Sequence, residues 1–227
     1  MEKVLHIIPT PIGNLADITL RALEILKNSD TILVEDSRVT GKLLKHYNIK
    51  SKMIRYHSFN EHKKIKKIIT EIEFGKRISL VSDAGTPSIS DPGFLLIREC
   101  IRNNVQIICL PGATACIPAL VTSGLPCEKF IFEGFLPKKK GRKTKFEFLR
   151  SLQCTIIIFE SPKRVVKTLL NIKEFMGENR LISIHREMTK IYEEVFLGTV
   201  SESIDYFSNK TCKGEFVFIL ARENYTL

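Results

Sequence analysis

Strand-like and helix-like patterns alternate through the first half of the chain. Lys3 to Pro9 is a Val- and Ile-rich run of the buried-strand type. It is followed by the turn cluster Thr10-Pro11-Ile12-Gly13-Asn14 and by Asp17, the expected N-cap of a helix over Ile18–Lys27. A second strand, Thr31–Val34, ends in the carboxylates Glu35 and Asp36. Ser37–Tyr47 is helical by the spacing of Val39, Leu43, Leu44 and Tyr47. Lys52–Tyr56 reads as a strand, and Glu61–Phe74 as a basic helix with Ile65, Ile68, Ile69 and Ile72 on its apolar face. A strand over Arg77–Val81, the loop Ser82–Gly93, a helix over Phe94–Arg102 and a strand over Val105–Leu110 complete the series. Pro111-Gly112-Ala113-Thr114 then leads into a further helix. This alternation predicts right-handed βαβ crossovers and a mainly parallel sheet.

Near Ser123-Gly124-Leu125-Pro126 the pattern changes. Strands are expected at Lys129–Glu133, Thr155–Glu160, Leu181–Arg186, Ile191–Gly198 and Glu215–Ala221, with fewer helices between them and one helix from about Phe146. The expectation is two α/β domains, residues 1–122 and 123–227, the second with a mixed sheet.

The 227 residues, 44% hydrophobic and 26% charged, suit one large or two small globular domains. A net charge of +10 argues for a polyanionic partner, nucleic acid before membrane. The cations Lys138, Lys139, Lys140, Arg142, Lys143 and Lys145 crowd one segment, expected to be an exposed loop that neutralises phosphates. The six cysteines stand singly without any CxxC, so they read as small buried hydrophobes in a reducing compartment, with no structural zinc. The short apolar stretch at the N-terminus does not make a signal peptide, and no apolar run reaches bilayer length. A cytoplasmic location and no membrane partner are expected.

Candidate chemistry gathers at strand ends. Gly85 and Gly93 permit close backbone approach, and Pro87 and Pro92 fix the chain path, in a loop that follows a strand. In a parallel sheet such loops share one edge, so Thr10–Asn14, Glu35–Arg38, Ser82–Asp91, Pro111–Thr114 and Glu160–Arg164 are expected around a ligand crevice. That crevice offers the carboxylates Glu35, Asp36, Asp83 and Glu160 and the guanidinium groups of Arg38 and Arg164. There is no GxGxxG and no P-loop, since Gly41-Lys42 is followed by Leu43. No hydrolase signature accompanies His6, His46, His57, His62 or His185, and no metal site is indicated.

The string Pro9-Thr10-Pro11-Ile12-Gly13-Asn14-Leu15-Ala16-Asp17-Ile18-Thr19 resembles a signature of the tetrapyrrole methylase superfamily, the class III S-adenosylmethionine-dependent methyltransferases. It is similar in particular to members that modify small-subunit ribosomal RNA. The resemblance continues through Glu35–Leu44, Ser82–Gly93, Leu110–Ala113, Phe132–Pro137, Phe159–Arg164, Arg186–Lys190 and Lys213–Glu215. It implies two α/β domains of that type with S-adenosylmethionine in the interdomain cleft of a homodimer. On the cofactor it places Pro11, Gly85, Thr86, Pro87, Ile89, Thr114, Ala115, Glu160, Ser161, Gly214 and Glu215. It also implies methylation of the 2′-hydroxyl of a cytidine in the decoding region of 16S rRNA, within the small ribosomal subunit. Departures are few: Lys163 stands where His is usual, Ser37 where Thr is frequent, and His57–His62 follows its segment only loosely.

A sulfonium methyl needs mainly an aligned ribose oxygen, with help from a base or a cation. Asp36 and Asp83 are the candidate bases, and Arg38 and Arg164 the candidate orienting groups. Two rivals stay open: a methyltransferase for a tetrapyrrole or other small molecule, and a non-catalytic small-subunit assembly factor.

Overall fold

The computed structural model describes residues 3–227, which separate into two compact units, one ending at Thr114 and one running from Ala115 to Leu227. The first holds strands β1 (Val4–Ile8), β2 (Thr31–Val34), β3 (Lys52–Arg55), β4 (Ile78–Val81) and β5 (Gln106–Cys109), and helices α1 (Leu20–Asn28), α2 (Ser37–His46), α3 (Glu61–Glu73) and α4 (Phe94–Arg102). The strand order is β3-β2-β4-β1-β5 and every pairing is parallel. Alternation along the strands explains the helices on both faces. Leu5, Ile7, Leu33, Ile78 and Leu80 pack with Ile65, Ile68, Ile69 and Ile72 of α3 and Leu96 of α4. Ile8, Ile32, Val34 and Val81 turn the other way, against Ala22 and Leu26 of α1 and Leu44 of α2. Burying a side chain such as Ile72 completely (0% exposed) contributes about 1.5–3 kcal/mol.

The second unit contains α5 (Cys116–Thr122), β6 (Phe130–Phe135), α6 (Arg142–Arg150), β7 (Thr155–Glu160), α7 (Val165–Met176), β8 (Leu181–Arg186), β9 (Glu194–Thr199), α8 (Val200–Ser208) and β10 (Phe216–Leu220). Its sheet runs β6-β7-β10-β8-β9, with β6–β7 parallel and the other pairs antiparallel. One core joins Phe146, Leu149, Leu169 and Ile172 to Ile156, Ile158, Ile182 and Phe218.

Four features differ from the sequence expectation. Thr19, not Asp17, caps α1 through a 3.1 Å bond from the Ala22 amide, while Asp17 lies in a separate one-turn 3-10 helix. The unit division precedes α5, which packs on β10, so the boundary expected after residue 122 falls at the far end of that helix. Strand β9 starts at Glu194, not Ile191. Helix α6 starts at Arg142, not Phe146, because Arg142, Phe146 and Leu149 share its buried face.

Candidate functional site

The polar edge of the first unit is built by its strand ends. After β2 the chain turns into α2 at Asp36, whose carboxylate accepts the Arg38 amide at 2.9 Å and caps the helix. Arg38 Nε lies 3.0 Å from both Asp36 oxygens, and these hydrogen bonds hold the Asp36 carboxyl well below the usual carboxylate range. The Asp36 amide donates to Asp83 Oδ1 at 2.9 Å, tying the end of β2 to the end of neighbouring β4. Burial pushes the Asp83 carboxyl up. Glu35 is raised as well, first by burial and then by the charge of Asp83. Among the described residues no side chain donates a hydrogen bond to Glu35 or to Oδ2 of Asp83, and the nearby charges of His57 and Arg38 offset only part of the two rises. Together with Arg38, Arg55, His57 and Phe59 these carboxylates line an open groove of about 350 Å³. Among the candidate bases, the structure thus separates a cation-paired Asp36 from a poised Asp83.

Next to this groove, the loops after β1, β4 and β5 are bound together. Thr10 and Gly85 exchange two backbone hydrogen bonds of 2.9 Å. Thr10 Oγ1 donates to the Ser82 carbonyl at 3.0 Å, and Thr86 Oγ1 to the Ala113 carbonyl at 3.1 Å. Gly85 has φ +83°, and Ser88 and Ser90 hold φ of +72° and +65°, a conformation that costs free energy outside glycine and gathers at ligand sites. The buried Ser88 hydroxyl has no hydrogen-bond partner. Of the residues expected on the cofactor, Pro11, Gly85 and Pro87 are buried, Thr86 and Thr114 half-buried and Ile89 exposed, all on these connected loops.

The second unit's candidates behave differently. The Glu160 side chain is fully buried: Oε1 takes the Ser161 amide at 2.7 Å and Arg164 Nε at 2.7 Å, and Oε2 takes Thr168 Oγ1 at 2.6 Å. Arg164 also donates to the Leu136 carbonyl at 3.1 Å, so it closes this cluster from inside. Arg142, expected on an exposed basic loop, is buried instead. It donates to Thr168 Oγ1 at 2.7 Å, Asn171 Oδ1 at 2.9 Å and the Pro137 carbonyl at 3.0 Å, which removes it from any RNA surface. Lys145 is half-buried, pairing with Glu133 at 2.9 Å and lying over the Phe148 ring. Lys138, Lys139, Lys140 and Lys143 are exposed as expected. Gly214 (φ +87°) lies so close to Glu187 that a Cβ would sit 2.4 Å from that side chain. The Glu215 amide donates to Glu187 Oε1 at 3.0 Å, and Lys190 Nζ bridges Glu187 and Glu215 at 2.8 Å each. Ala115 precedes α5 as its N-cap.

Sequence reasoning placed Glu35 in the crevice but missed it as a perturbed acid, and missed Arg55, His57 and Phe59 as groove residues. The loose match at His57–His62 was the available signal for that loop. Among the described residues no cluster of His, Cys, Asp or Glu forms a metal site, and no helix is long and apolar enough to cross a membrane.

Residues 4–203 match the family profile of Tetrapyrrole (Corrin/Porphyrin) Methylases. The chain is 44% identical to ribosomal RNA small subunit methyltransferase I of Synechocystis sp., over 96% of this chain and 78% of that one. It is 45% identical to the protein of the same name from Thermotoga maritima, over 96% and 97%. Among solved structures, a diphthine synthase aligns with TM-score 0.75 at 14% identity, covering 96% of this chain and 90% of that one. A cobalt precorrin-4 methyltransferase of cobalamin biosynthesis aligns with TM-score 0.70 at 19% identity, covering 96% and 95%.

Proposed function

The chain belongs to the tetrapyrrole methylase family and groups there with the ribosomal RNA small subunit methyltransferases I, and from this premise we propose that it methylates small-subunit ribosomal RNA, using S-adenosylmethionine, on a cytidine 2′-hydroxyl of the decoding region. The reading extends to a homodimer in the cytoplasm acting on the assembled small subunit. The observation that carries the chemistry is the groove with two under-partnered, raised carboxyls beside a strained, backbone-rich loop cluster.

The donor fits that cluster. The tied loops hold Gly85, Ser88 and Ser90 at positive φ, a backbone conformation that gathers at ligand sites, and suit a polar ligand. Pro11, Gly85, Thr86, Pro87, Ile89 and Thr114 are the first-unit residues that would hold it. When bound, S-adenosylmethionine supplies an electrophilic methyl group on a sulfonium. The chain's own task is then to place a ribose hydroxyl and take its proton. Asp83 is the base: its Oδ1 is fixed by the Asp36 amide, Oδ2 remains for the hydroxyl, and its raised affinity for protons suits general-base work. Asp36 serves as helix cap and as anchor for Arg38, which faces solvent and stabilises negative charge at the rim. Lys138, Lys139, Lys140 and Lys143 neutralise phosphates of the RNA, giving binding that weakens steeply with salt.

The test is transfer of labelled methyl from S-adenosylmethionine to small subunits from cells lacking this protein, with the label mapped by resistance to alkaline cleavage. A labelled decoding-region cytidine ribose is expected. Donor binding without RNA label would indicate a small-molecule methyltransferase, and no donor binding an assembly factor.

A further inference from the structure

The loop between β3 and α3 forms one wall of the groove and has no part in the chemistry above. Its tip is Phe59, 94% exposed, on a chain segment that is otherwise tightly fixed. Asn60 does the fixing. Its Oδ1 accepts the His57 amide at 3.0 Å, so its Nδ2 is the group that donates to the Arg55 carbonyl at 3.3 Å and to His57 Nε2 at 3.0 Å. The amides of Asn60 and Glu61 in turn donate to the His57 carbonyl at 2.9 and 3.0 Å. The His57 ring stands edge-on to Phe59, with centroids 6.1 Å apart. The Phe59 ring is thus presented to solvent from a hydrogen-bonded turn instead of being folded into the core.

The surroundings select its partner. The groove that Phe59 lines also holds Arg38, 82% exposed and paired on one side with Asp36, and the exposed Arg55, beside the carboxylates of Glu35, Asp36 and Asp83, with no other large apolar side chain. An apolar protein segment would gain little from such a rim. A nucleotide gains on both counts, because its base has a π-face and its phosphate is anionic.

We infer that Phe59 is a stacking platform for an unpaired nucleobase of the substrate RNA, with Arg38 and Arg55 receiving the adjoining phosphates. The inference rests on the RNA-methylation reading and gives the first unit its own RNA contact, separate from the Lys138–Lys140 segment. The base held on Phe59 fixes the strand beside Asp83 and so makes Phe59 a specificity-determining residue for the same reaction.

Phe59→Ala, Phe59→Leu and Phe59→Trp variants test it, with small-subunit affinity, KM and kcat measured beside the affinity for S-adenosylmethionine. Phe59→Ala is expected to weaken subunit binding and raise KM by about tenfold to a hundredfold, the usual loss for one stacked base, with donor affinity unchanged. Phe59→Trp should restore binding, and Phe59→Leu should not, since it keeps apolar area without a π-face. Wild-type behaviour of Phe59→Ala, or full rescue by Leu, overturns the inference while leaving the methylation reading intact. A wild-type chain that places no methyl on subunit RNA overturns the methylation reading and this inference with it.

Discussion

Strand β2 ends in Glu35-Asp36-Ser37-Arg38 and strand β7 in Glu160-Ser161-Pro162-Lys163-Arg164, each a carboxylate, a serine and an arginine at the start of a helical segment. At the end of β7 the Glu160 side chain is fully buried, and Ser161, Thr168 and Arg164 occupy both its oxygens. At the end of β2 the carboxylates meet open groove, and the buried-charge cost is left partly uncompensated on Asp83 and Glu35. Completeness of pairing separates the two. A closed network holds a fold together, whereas an unfinished one keeps proton affinity and hydrogen-bonding capacity for a ligand.

The largest effect that sharpens this contrast is expected from Arg164→Ala. It leaves Glu160 enclosed without its ion-pair partner and should cost about 3–5 kcal/mol in urea unfolding. A cost below about 1 kcal/mol, typical of exposed pairs, would mean that the β7 end is not closed. Next in size is the pH dependence of turnover. A general base with a raised pKa is lost by protonation as pH falls through that raised value, so the acid limb of kcat should lie above the ordinary aspartate value, with about a tenfold fall per pH unit below it. The sign for stability is opposite. The folded state binds the proton more readily than the unfolded chain, so the penalty for ionised Asp83 is present at neutral pH and vanishes on acidification. Asp83→Asn should therefore leave the unfolding midpoint at pH 7 unchanged or higher. The smallest effect is expected from Asp36→Ala, where loss of the α2 cap and of the Arg38 anchor slows methyl transfer by less than about tenfold without loss of donor binding. A fall as large as that of Asp83→Asn would return Asp36 to the role of base.

Much of this molecule was legible in its sequence, and the reasons are local. Val- and Ile-rich runs bounded by turn residues located β2, β7 and β8 to the residue, and the isoleucine stripe located α3. The Thr10, Ser82 and Pro111 turn clusters were identifiable as strand-end loops, because parallel connections place them on one edge. What stayed hidden depends on contacts distant in sequence. The different surroundings of Asp36 and Asp83 depend on a hydrogen bond across 47 positions, formed because β2 and β4 are neighbours. Arg142 read as one cation among many, since nothing nearby in sequence announces Thr168 and Asn171 as its partners. The end of the first unit was equally obscure, because α5 declares its allegiance only by packing on β10.

The proposed reaction stands or falls with the open end of the first sheet, where Asp83 is the proposed base. The most direct test is single-turnover methyl transfer to unmodified small subunits by wild type and Asp83→Asn, with donor affinity measured in parallel. Unchanged affinity for S-adenosylmethionine and a rate lower by about a hundredfold or more are expected of Asp83→Asn. A variant that binds the donor and transfers the methyl within about twofold of wild type would contradict that role of Asp83.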